Sequence, residues 1–319
     1  MIKQLEDHYW TSAKYDLIAT SRNIWIFKNQ WYFNQTYNLF KIKDVFKLIL
    51  NFKRYDIVID AEEYFMISAF RSMRLGKINV WYSNIPVRWL AYNHWIIYND
   101  KQHSLLTTLD LIKKIWIKYA IPQNMEPLIY KEKDKIKVDD FLNSIDKLNP
   151  NNKLICMHTW WAETWKDRAW AKKNRVWLIK EILDKYEGIT IFLSWTHFEK
   201  GIAWDIISKL DKKYNGKVIN ICWFFNIFEF AYLLEKCKLM ISNDTWPMHL
   251  SACMWTKTIG LFGPELPSKY GPYPSNKNVW LYKWDGKACI RIHLAKWWED
   301  INNYVNKIEI KDVLRFIEF

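Results

Sequence analysis

The chain has 319 residues, of which 50% are hydrophobic and 25% are charged. This composition is typical of a globular protein, and it excludes a disordered chain, a collagen-like repeat and a small disulfide-stapled scaffold. The 47 Lys and Arg residues outnumber the 34 Asp and Glu residues, which gives a formal net charge of +13 and favours anionic partners.

Cysteine and histidine usage indicates a protein of a reducing compartment that has no metal centre. The five cysteines form no C-x-x-C pair, and the seven histidines show no metal-ligand spacing. The N-terminal residues carry charge where a signal peptide needs an apolar run, and no run approaches the roughly 18 apolar residues of a membrane helix. We therefore expect a cytoplasmic protein without a metal or cofactor.

Short apolar runs rich in β-branched residues alternate with longer runs of helical period. The predicted strands are Lys14–Thr20, Tyr55–Asp60, Lys153–His158, Ile189–Ser194, Lys217–Cys222, Leu239–Ser242 and Thr258–Gly263. The predicted helices are Leu39–Phe52, Ser104–Tyr119, Lys172–Tyr186, Glu199–Lys213, Ile227–Cys237 and Lys311–Phe319. This alternation predicts an α/β fold whose parallel sheets are covered by helices on both faces.

A polar stretch, residues 131–152, separates two such alternating regions. It holds few large apolar residues and ends in an Asn-Pro turn. We place the domain boundary there, which gives an N-terminal domain of residues 1–150 and a C-terminal domain of residues 151–319.

The most informative pattern follows the strand that begins at Leu239. This strand runs into Asn243-Asp244-Thr245, and a helix begins near Pro247, a residue suited to a first helical turn. A helix N-terminus at the carboxyl edge of a parallel sheet binds phosphate, because free amides and the helix dipole point at the anion. On local grounds alone, an ordinary capped helix remains the alternative.

The wider pattern resembles a known family. Asp-Thr-x-Pro-Met-His-Leu, a helix and then Thr-Ile-Gly-Leu-Phe-Gly-Pro resemble the C-terminal signature of the bacterial heptosyltransferases, glycosyltransferase family 9. Tyr55–Asp60, Lys77–Tyr82, His158–Trp170 and Lys217–Leu234 resemble further family motifs in the family's order. The resemblance implies the GT-B arrangement, two Rossmann-like domains facing across a cleft, with the last helix packing back on the N-terminal domain.

The resemblance also implies a donor site on the C-terminal domain. Asp244, Thr245 and the position of Trp246 would hold the diphosphate and sugar of a nucleotide-activated donor. His249 lies one turn into the helix and would be near the same ligand, unless it is an ordinary surface histidine.

Further donor-site residues are implied on two other loops. Arg168 would neutralise the leaving diphosphate, or is a solvated charge. Glu199 would bind the nucleoside ribose, or is an ordinary first-turn glutamate favoured by the helix dipole. Thr164 and the turn Trp160–Trp161 would form the opposite wall of the donor pocket.

Tryptophan and glycine usage is unusual, since the chain has 21 Trp and only 8 Gly, against about 22 Gly expected for its length. Seven tryptophans stand where the family has glycine: Trp81, Trp116, Trp160, Trp195, Trp223, Trp246 and Trp255. We interpret them as UGA codons that encode glycine and were translated as tryptophan, whereas Trp170 matches a family tryptophan. The alternative is a set of aromatic-rich loops that stack bases or sugars.

The family's first strand and Gly-rich loop have no counterpart here, because the chain begins at what resembles the following helix. That loop carries the family's proposed general base, so the catalytic base is unknown and the chain as given is expected to bind donor without turnover. Asp60, Glu62 and Glu63 follow a strand end in the same domain but have no motif support.

The resemblance implies an inverting glycosyltransferase that moves a heptose or related sugar from an ADP-activated donor. The acceptor would be an anionic, lipopolysaccharide-like glycolipid at the cytoplasmic membrane face, which places the protein at the periphery of that membrane. One alternative is a non-catalytic nucleotide-sugar-binding remnant of the family. The other is a basic, aromatic-rich nucleic-acid-binding protein, which the even spread of Lys and Arg along the chain disfavours.

Overall fold

The computed structural model describes residues 1–9, 12–62, 66–82, 92–99, 101–145, 149–158, 169–194, 200–283 and 304–319. These residues form two compact units, Met1–Pro122 and Gln123–Phe319. The first unit contains α1 (Ile2–Tyr9), β1 (Tyr15–Ala19), β2 (Phe33–Asn38), α2 (Ile42–Leu50), β3 (Tyr55–Ile59), α3 (Met66–Leu75), β4 (Gly76–Tyr82), β5 (His94–Ile96) and α4 (Ser104–Lys113). The second unit contains α5 (Glu132–Asn143), β6 (Lys153–His158), α6 (Lys172–Lys185), β7 (Ile189–Ser194), α7 (Lys200–Ser208), β8 (Val218–Asn220), α8 (Ile227–Lys236), β9 (Leu239–Asn243), α9 (Trp246–Cys253), β10 (Lys257–Phe262), α10 (Pro267–Tyr270), β11 (Val279–Tyr282) and α11 (Ile310–Leu314).

The first unit contains two parallel sheets, β1-β2 and β3-β4-β5. Both sheets contribute to one apolar cluster, in which Ile18 of β1 and Val58 of β3 pack around the buried Leu48 of α2. The Tyr55 hydroxyl of β3 also donates a hydrogen bond of 2.8 Å to the Asp16 carboxylate of β1. The two sheets therefore share a core although they are hydrogen-bonded separately.

The second unit is built on one parallel sheet of six strands in the order β11-β10-β9-β6-β7-β8. The strands β7 and β9 are buried along their whole length, as expected for continuous apolar runs covered on both faces. Ile155 of β6 aligns with Ile191 of β7 on one side and with Leu239 of β9 on the other. The predicted α/β class with parallel sheets is confirmed.

The boundary between the units lies at Pro122, before the polar stretch that the sequence suggested as a linker. Much of that stretch forms α5, which packs on α8 of the second unit. Asp134 accepts the N–H of Lys131 at 2.8 Å to cap the helix, Val138 is fully buried, and Lys137 pairs with Glu229 at 2.8 Å. Because this helix is held largely by a cap and ion pairs, it contains few large apolar residues. Its composition therefore resembles that of a linker.

The last helix belongs to the second unit, and its packing on the N-terminal domain stays a prediction of the family resemblance. Helix α11 contacts α6, and Val313 and Ile317 are buried in the same core cluster as the sheet. The Tyr186 hydroxyl donates to the carbonyl of Ile317 at 2.7 Å. Apolar burial and this hydrogen bond fix the end of the chain to α6.

The helices are short. The predicted helix from Leu39 begins at Ile42, and the one from Ser104 ends at Lys113. Across the described part of the chain, no helix has both the length and the apolar character needed to cross a bilayer.

Candidate functional site

The six-stranded sheet has a topological switch point between β6 and β9. From β6 the chain adds β7 and β8 on one side, whereas β9, β10 and β11 extend the sheet on the other side. Loops that leave neighbouring strands in opposite directions open a crevice at the carboxyl edge, where open α/β sheets bind ligands. Strand β6 ends at His158 and β9 ends at Asn243, so these two strand ends define the candidate site.

The turn after β9 presents the N-terminus of α9 at this edge. The N–H of Asp244 donates to the carbonyl of Leu261 at 3.2 Å, which fixes the turn to β10. Thr245 is the N-cap residue, but its hydroxyl donates back to the carbonyl of Asn243 at 3.2 Å and does not cap the helix. In the first turn, Pro247 has no N–H and the N–H of Met248 donates to the carbonyl of Thr245 at 3.1 Å, so the N–H of Trp246 is the donor that the N-cap side chain leaves to an outside acceptor, such as a phosphate oxygen.

The structure brings the four described donor-site candidates together at the start of α9. The Asp244 side chain is buried and Thr245 is half-buried, whereas Trp246 is 49% exposed and His249 is exposed. The Trp246 indole lies edge-on to the Phe230 ring, with centroids 6.3 Å apart. The predicted order of strand end, turn and helix is thus observed, and the role of each side chain in donor binding remains a prediction.

A buried polar cluster lies beneath the same edge. His158 Nδ1 and Ser194 Oγ are 3.3 Å apart, and Arg175 donates from Nη2 to Asn243 Oδ1 at 3.3 Å. Burial and the charge of Arg175 lower the pKa of His158 to about 3, and burial lowers the pKa of Arg175 to about 9. At neutral pH the site therefore has a neutral imidazole and a buried cation next to the Asn243 turn.

Sequence reasoning missed Arg175 and Ser194. Arg175 precedes Ile179 by four residues and Ile182 by seven, which places it on the apolar face of the predicted helix. A charged residue on a buried face was the signal that could have identified it. Ser194 gave no signal, because its partner His158 is 36 residues away in sequence.

Two further buried charges follow β10, the strand next to β9. Glu265 and Lys269 are both buried, and the Lys269 ammonium lies 5.1 Å from the centre of the Tyr270 ring. Burial and the nearby Glu265 carboxylate raise the pKa of Tyr282 to about 12. Buried charges gathered at one sheet edge are more common at binding sites than elsewhere.

The remaining predicted donor-pocket residues lie outside the described ranges. They are Trp160, Trp161, Thr164, Arg168 and Glu199. Their roles stay predictions of the family resemblance. In the described ranges, no group of three or more His, Cys, Asp or Glu side chains is placed to hold a metal ion.

Asp60, considered above without motif support, takes part in a buried network of the first unit. Its carboxylate accepts hydrogen bonds from the Tyr92 hydroxyl at 2.6 Å and the Ser72 hydroxyl at 3.4 Å. Its other carboxylate oxygen accepts the N–H of Glu62 at 3.0 Å. These bonds give Asp60 a structural role at the end of β3, and the catalytic base stays unassigned. Glu63 lies outside the described residues.

Comparison with solved structures identifies the fold. A glycosyltransferase family 9 protein from Veillonella parvula matches with a TM-score of 0.80 and 14% identity, covering 98% of this chain and 90% of that chain. The E. coli ADP-heptose lps heptosyltransferase II matches with a TM-score of 0.73 and 17% identity, covering 98% and 91%. The E. coli heptosyltransferase WaaC with ADP matches with a TM-score of 0.68 and 18% identity, covering 99% and 93%. The chain shares the GT-B fold of these proteins.

Comparison of sequences identifies the family. Lipooligosaccharide heptosyltransferase 2 of Campylobacter jejuni serotype O:2 is 37% identical over 84 residues, and that of serotype O:6 is 34% identical over 84 residues. Each alignment covers 26% of this chain and 26% of the relative, so it spans about a quarter of the curated proteins. The profile of glycosyltransferase family 9 (heptosyltransferase) matches residues 45–294, well over half of the chain. The chain belongs to glycosyltransferase family 9.

Proposed function

We propose that the protein is an inverting glycosyltransferase that moves a heptose or related sugar from an ADP-activated donor to a lipopolysaccharide-like glycolipid. The observation that carries the proposal is the N-terminus of α9 at the switch point of the second unit. One solved relative, E. coli heptosyltransferase WaaC, is described in two structures, with ADP and with ADP-2-deoxy-2-fluoro heptose, which supports an ADP-linked donor.

The groups at this edge suit different parts of such a donor. The Trp246 N–H and the positive end of the α9 dipole suit the diphosphate, and the buried charge of Arg175 strengthens the positive field there. The carboxylate of Asp244 would repel phosphate, so it suits the hydroxyls of a sugar as a hydrogen-bond acceptor. Arg168, if placed as the family resemblance implies, would add a second cation on the diphosphate.

The proposed reaction is a single displacement. A base takes the proton of the acceptor hydroxyl, the oxygen attacks the anomeric carbon, and the bond from that carbon to the diphosphate oxygen breaks, so that ADP leaves and the configuration inverts. The negative charge that develops on ADP is stabilised by the N-terminal end of α9 and by Arg175. Burial and the charge of Arg175 hold the pKa of His158 well below its usual range, so its imidazole is a poor proton acceptor near neutral pH.

Calorimetric titration with the ADP-sugar tests the donor site. Asp244→Ala should weaken binding by about tenfold to a hundredfold, since the loss of a charge-assisted hydrogen bond costs ~1.5–3 kcal/mol. His249→Ala should weaken binding less, because the His249 side chain is exposed. The matched control is Asp184→Ala, in the last turn of α6, whose carboxylate binds Lys213 at 2.7 Å. Asp184→Ala should leave the affinity unchanged.

Unchanged affinity for Asp244→Ala would mean that the donor binds elsewhere. Turnover is measured separately, as release of ADP in the presence of a glycolipid acceptor. Tight donor binding without ADP release would identify the protein as a non-catalytic nucleotide-sugar-binding member of the family.

A further inference from the structure

The surface of α2 and its flanking residues, the α2 surface (residues 40–54), exposes an unusual number of large apolar side chains. They are Phe40 (68%), Ile42 (71%), Phe46 (58%), Ile49 (47%), Leu50 (81%) and Phe52 (66%). Ile42, Phe46 and Ile49 follow helical spacing i, i+4 and i+7, so they form one stripe along the helix. Large contiguous apolar patches on a protein surface usually mark interaction sites.

This stripe is not needed for the core of the first unit. The opposite side of α2 supplies the core contact, through Leu48, which is 4% exposed and packs in a cluster with Tyr37 and Leu75. The far end of the helix is held by Arg74, which donates to the carbonyl of Ile49 from Nε at 3.0 Å and from Nη2 at 2.6 Å. The helix is thus fixed in place with its outer apolar stripe facing solvent.

The α2 surface is also strongly basic. Its sequence contains five cations and a single acid, Asp44. The Asp44 carboxylate already accepts the N–H of Asn38 at 2.9 Å. Lys43 and Lys47 are exposed and directly follow Ile42 and Phe46, so they run beside the apolar stripe. Basic and apolar side chains therefore alternate on one exposed face.

We propose that the α2 surface docks on an anionic lipid bilayer, with its apolar side chains in the interface and its lysines on lipid phosphates. A helix with an apolar stripe beside lysines is the combination that binds the headgroup region of anionic membranes. A second copy of the same face would bring the same lysines together, whereas lipid phosphates neutralise them. The inference rests on the proposed function and deepens it. The α2 surface would bring the enzyme to a glycolipid acceptor in its membrane.

Sedimentation with vesicles tests this docking. The protein should sediment with phosphatidylglycerol vesicles but not with phosphatidylcholine vesicles, and salt should release it. Phe46→Ser/Ile49→Ser should abolish binding, and Lys43→Gln/Lys47→Gln should weaken it about thirtyfold, from ~1 kcal/mol for each lysine near the surface. The matched control is Ile136→Ser on α5, where the isoleucine is 53% exposed, and it should bind like the unchanged protein.

Calorimetry with ADP separates this inference from the proposed function. All α2 variants should bind ADP like the unchanged protein, since they lie in the first unit and the candidate donor site lies in the second. The inference is overturned if the protein does not sediment with phosphatidylglycerol vesicles, or if Phe46→Ser/Ile49→Ser sediments equally well. It is also overturned if the lipid-free protein is a dimer that this variant disperses, because a second copy would then cover the surface. Loss of ADP-sugar binding in Asp244→Ala bears on the donor site alone.

Discussion

Of the five tryptophans at family glycine positions that the structure describes, three lie in left-handed backbone, with φ of 61° at Trp116, 63° at Trp223 and 63° at Trp255. Trp116 and Trp255 each follow a helix whose last carbonyls are capped by the next N–H, from Ile117 to Ile112 at 3.2 Å and from Thr256 to Ser251 at 3.1 Å. Glycine is the usual residue at this position of such a cap. The backbone therefore supports, independently of the family motif, the interpretation that these positions belong to glycine.

The side chains of two of these tryptophans bring little packing in return. Trp116 is 74% exposed and Trp223 is 67% exposed. Trp223 occupies the third position of a four-residue turn closed by the N–H of Phe224 and the carbonyl of Ile221 at 3.1 Å, where positive φ favours glycine. In contrast, Trp170 is buried, and its indole N–H donates to the carbonyl of Ile308 at 3.0 Å.

We predict that Trp116→Gly and Trp223→Gly each raise the free energy of unfolding by about 1 kcal/mol relative to the matched alanine variants, because only glycine avoids the left-handed penalty. Trp170→Gly should lower it by ~3–5 kcal/mol or more, since it empties a core position. Urea unfolding measures all of these variants. Equal stability of the glycine and alanine variants would contradict the backbone argument.

Peptide mass spectrometry of the protein from its natural source gives a direct test of the UGA interpretation. We predict glycine at positions 116, 223 and 255 and tryptophan at position 170. The family motif further predicts glycine at the positions of Trp81, Trp160, Trp195 and Trp246. Tryptophan at all seven positions would favour the alternative of aromatic-rich loops.

The buried imidazole of His158 makes stability depend on pH. Its pKa falls from 6.5 to about 3 in the folded protein, so the unfolded chain binds more protons between these values. The stability that comes from keeping this imidazole neutral is fully present above about pH 6.5. It is lost as the pH falls toward 3, by at most about 1.4 kcal/mol per pH unit. We predict that His158→Gln flattens this slope in urea unfolding at a series of pH values. The exposed His8→Gln should keep the slope, and an equal slope in both variants would contradict the prediction.

At the level of elements, sequence reasoning succeeded where burial is continuous. The strands Lys153–His158 and Ile189–Ser194 were predicted to the residue, because a central parallel strand is apolar along its whole length. Strand β2 (FNQTYN) was missed because four of its six residues are polar and three are exposed. Helix α5 was missed because partners distant in sequence, such as Glu229, hold it in place.

The candidate site shows the same limit. The turn at Asp244 and Thr245 could be predicted, since the strand end, the turn and the helix start are adjacent in sequence. The hydrogen bond from Arg175 to Asn243 joins residues 68 positions apart and could not be predicted from either one. Residues adjacent in sequence thus identified the helix terminus, whereas the buried cation beneath it could be identified only from the three-dimensional structure.

Helix α5 offers a test of local capping at the level of one element. The buried Asp134 caps the helix by accepting the N–H of Lys131 at 2.8 Å. We predict that Asp134→Ala lowers the free energy of unfolding of the second unit by about 1 kcal/mol, the usual cost of losing a helix cap. The control is Asp140→Ala on the same helix, whose side chain is exposed and which should change stability little. Equal effects of the two variants in urea unfolding would argue against the cap.

At the scale of the whole molecule, the two units separate two proposed tasks. The second unit has the candidate donor site at its sheet edge, and the first has the α2 surface. The second unit forms a large core of its own, in which the sheet, α6 and the last helix all take part. Its independence can therefore be tested by cutting the chain.

We predict that the fragment 123–319 folds by itself and binds ADP, whereas the fragment 151–319, cut at the boundary that composition suggested, is less stable by several kcal/mol. The shorter fragment lacks α5 and with it the fully buried Val138, whose side chain alone is worth ~1.5–3 kcal/mol. It also lacks the Phe141 ring, 4.6 Å from the Phe224 ring, and the ion pair from Lys137 to Glu229. Removal of Lys137 leaves the largely buried Glu229 carboxylate without its cation.

Thermal unfolding followed by circular dichroism compares the two fragments, and calorimetry compares their affinity for ADP. Equal melting temperatures would show that α5 adds nothing to the second unit and that the boundary belongs near residue 150.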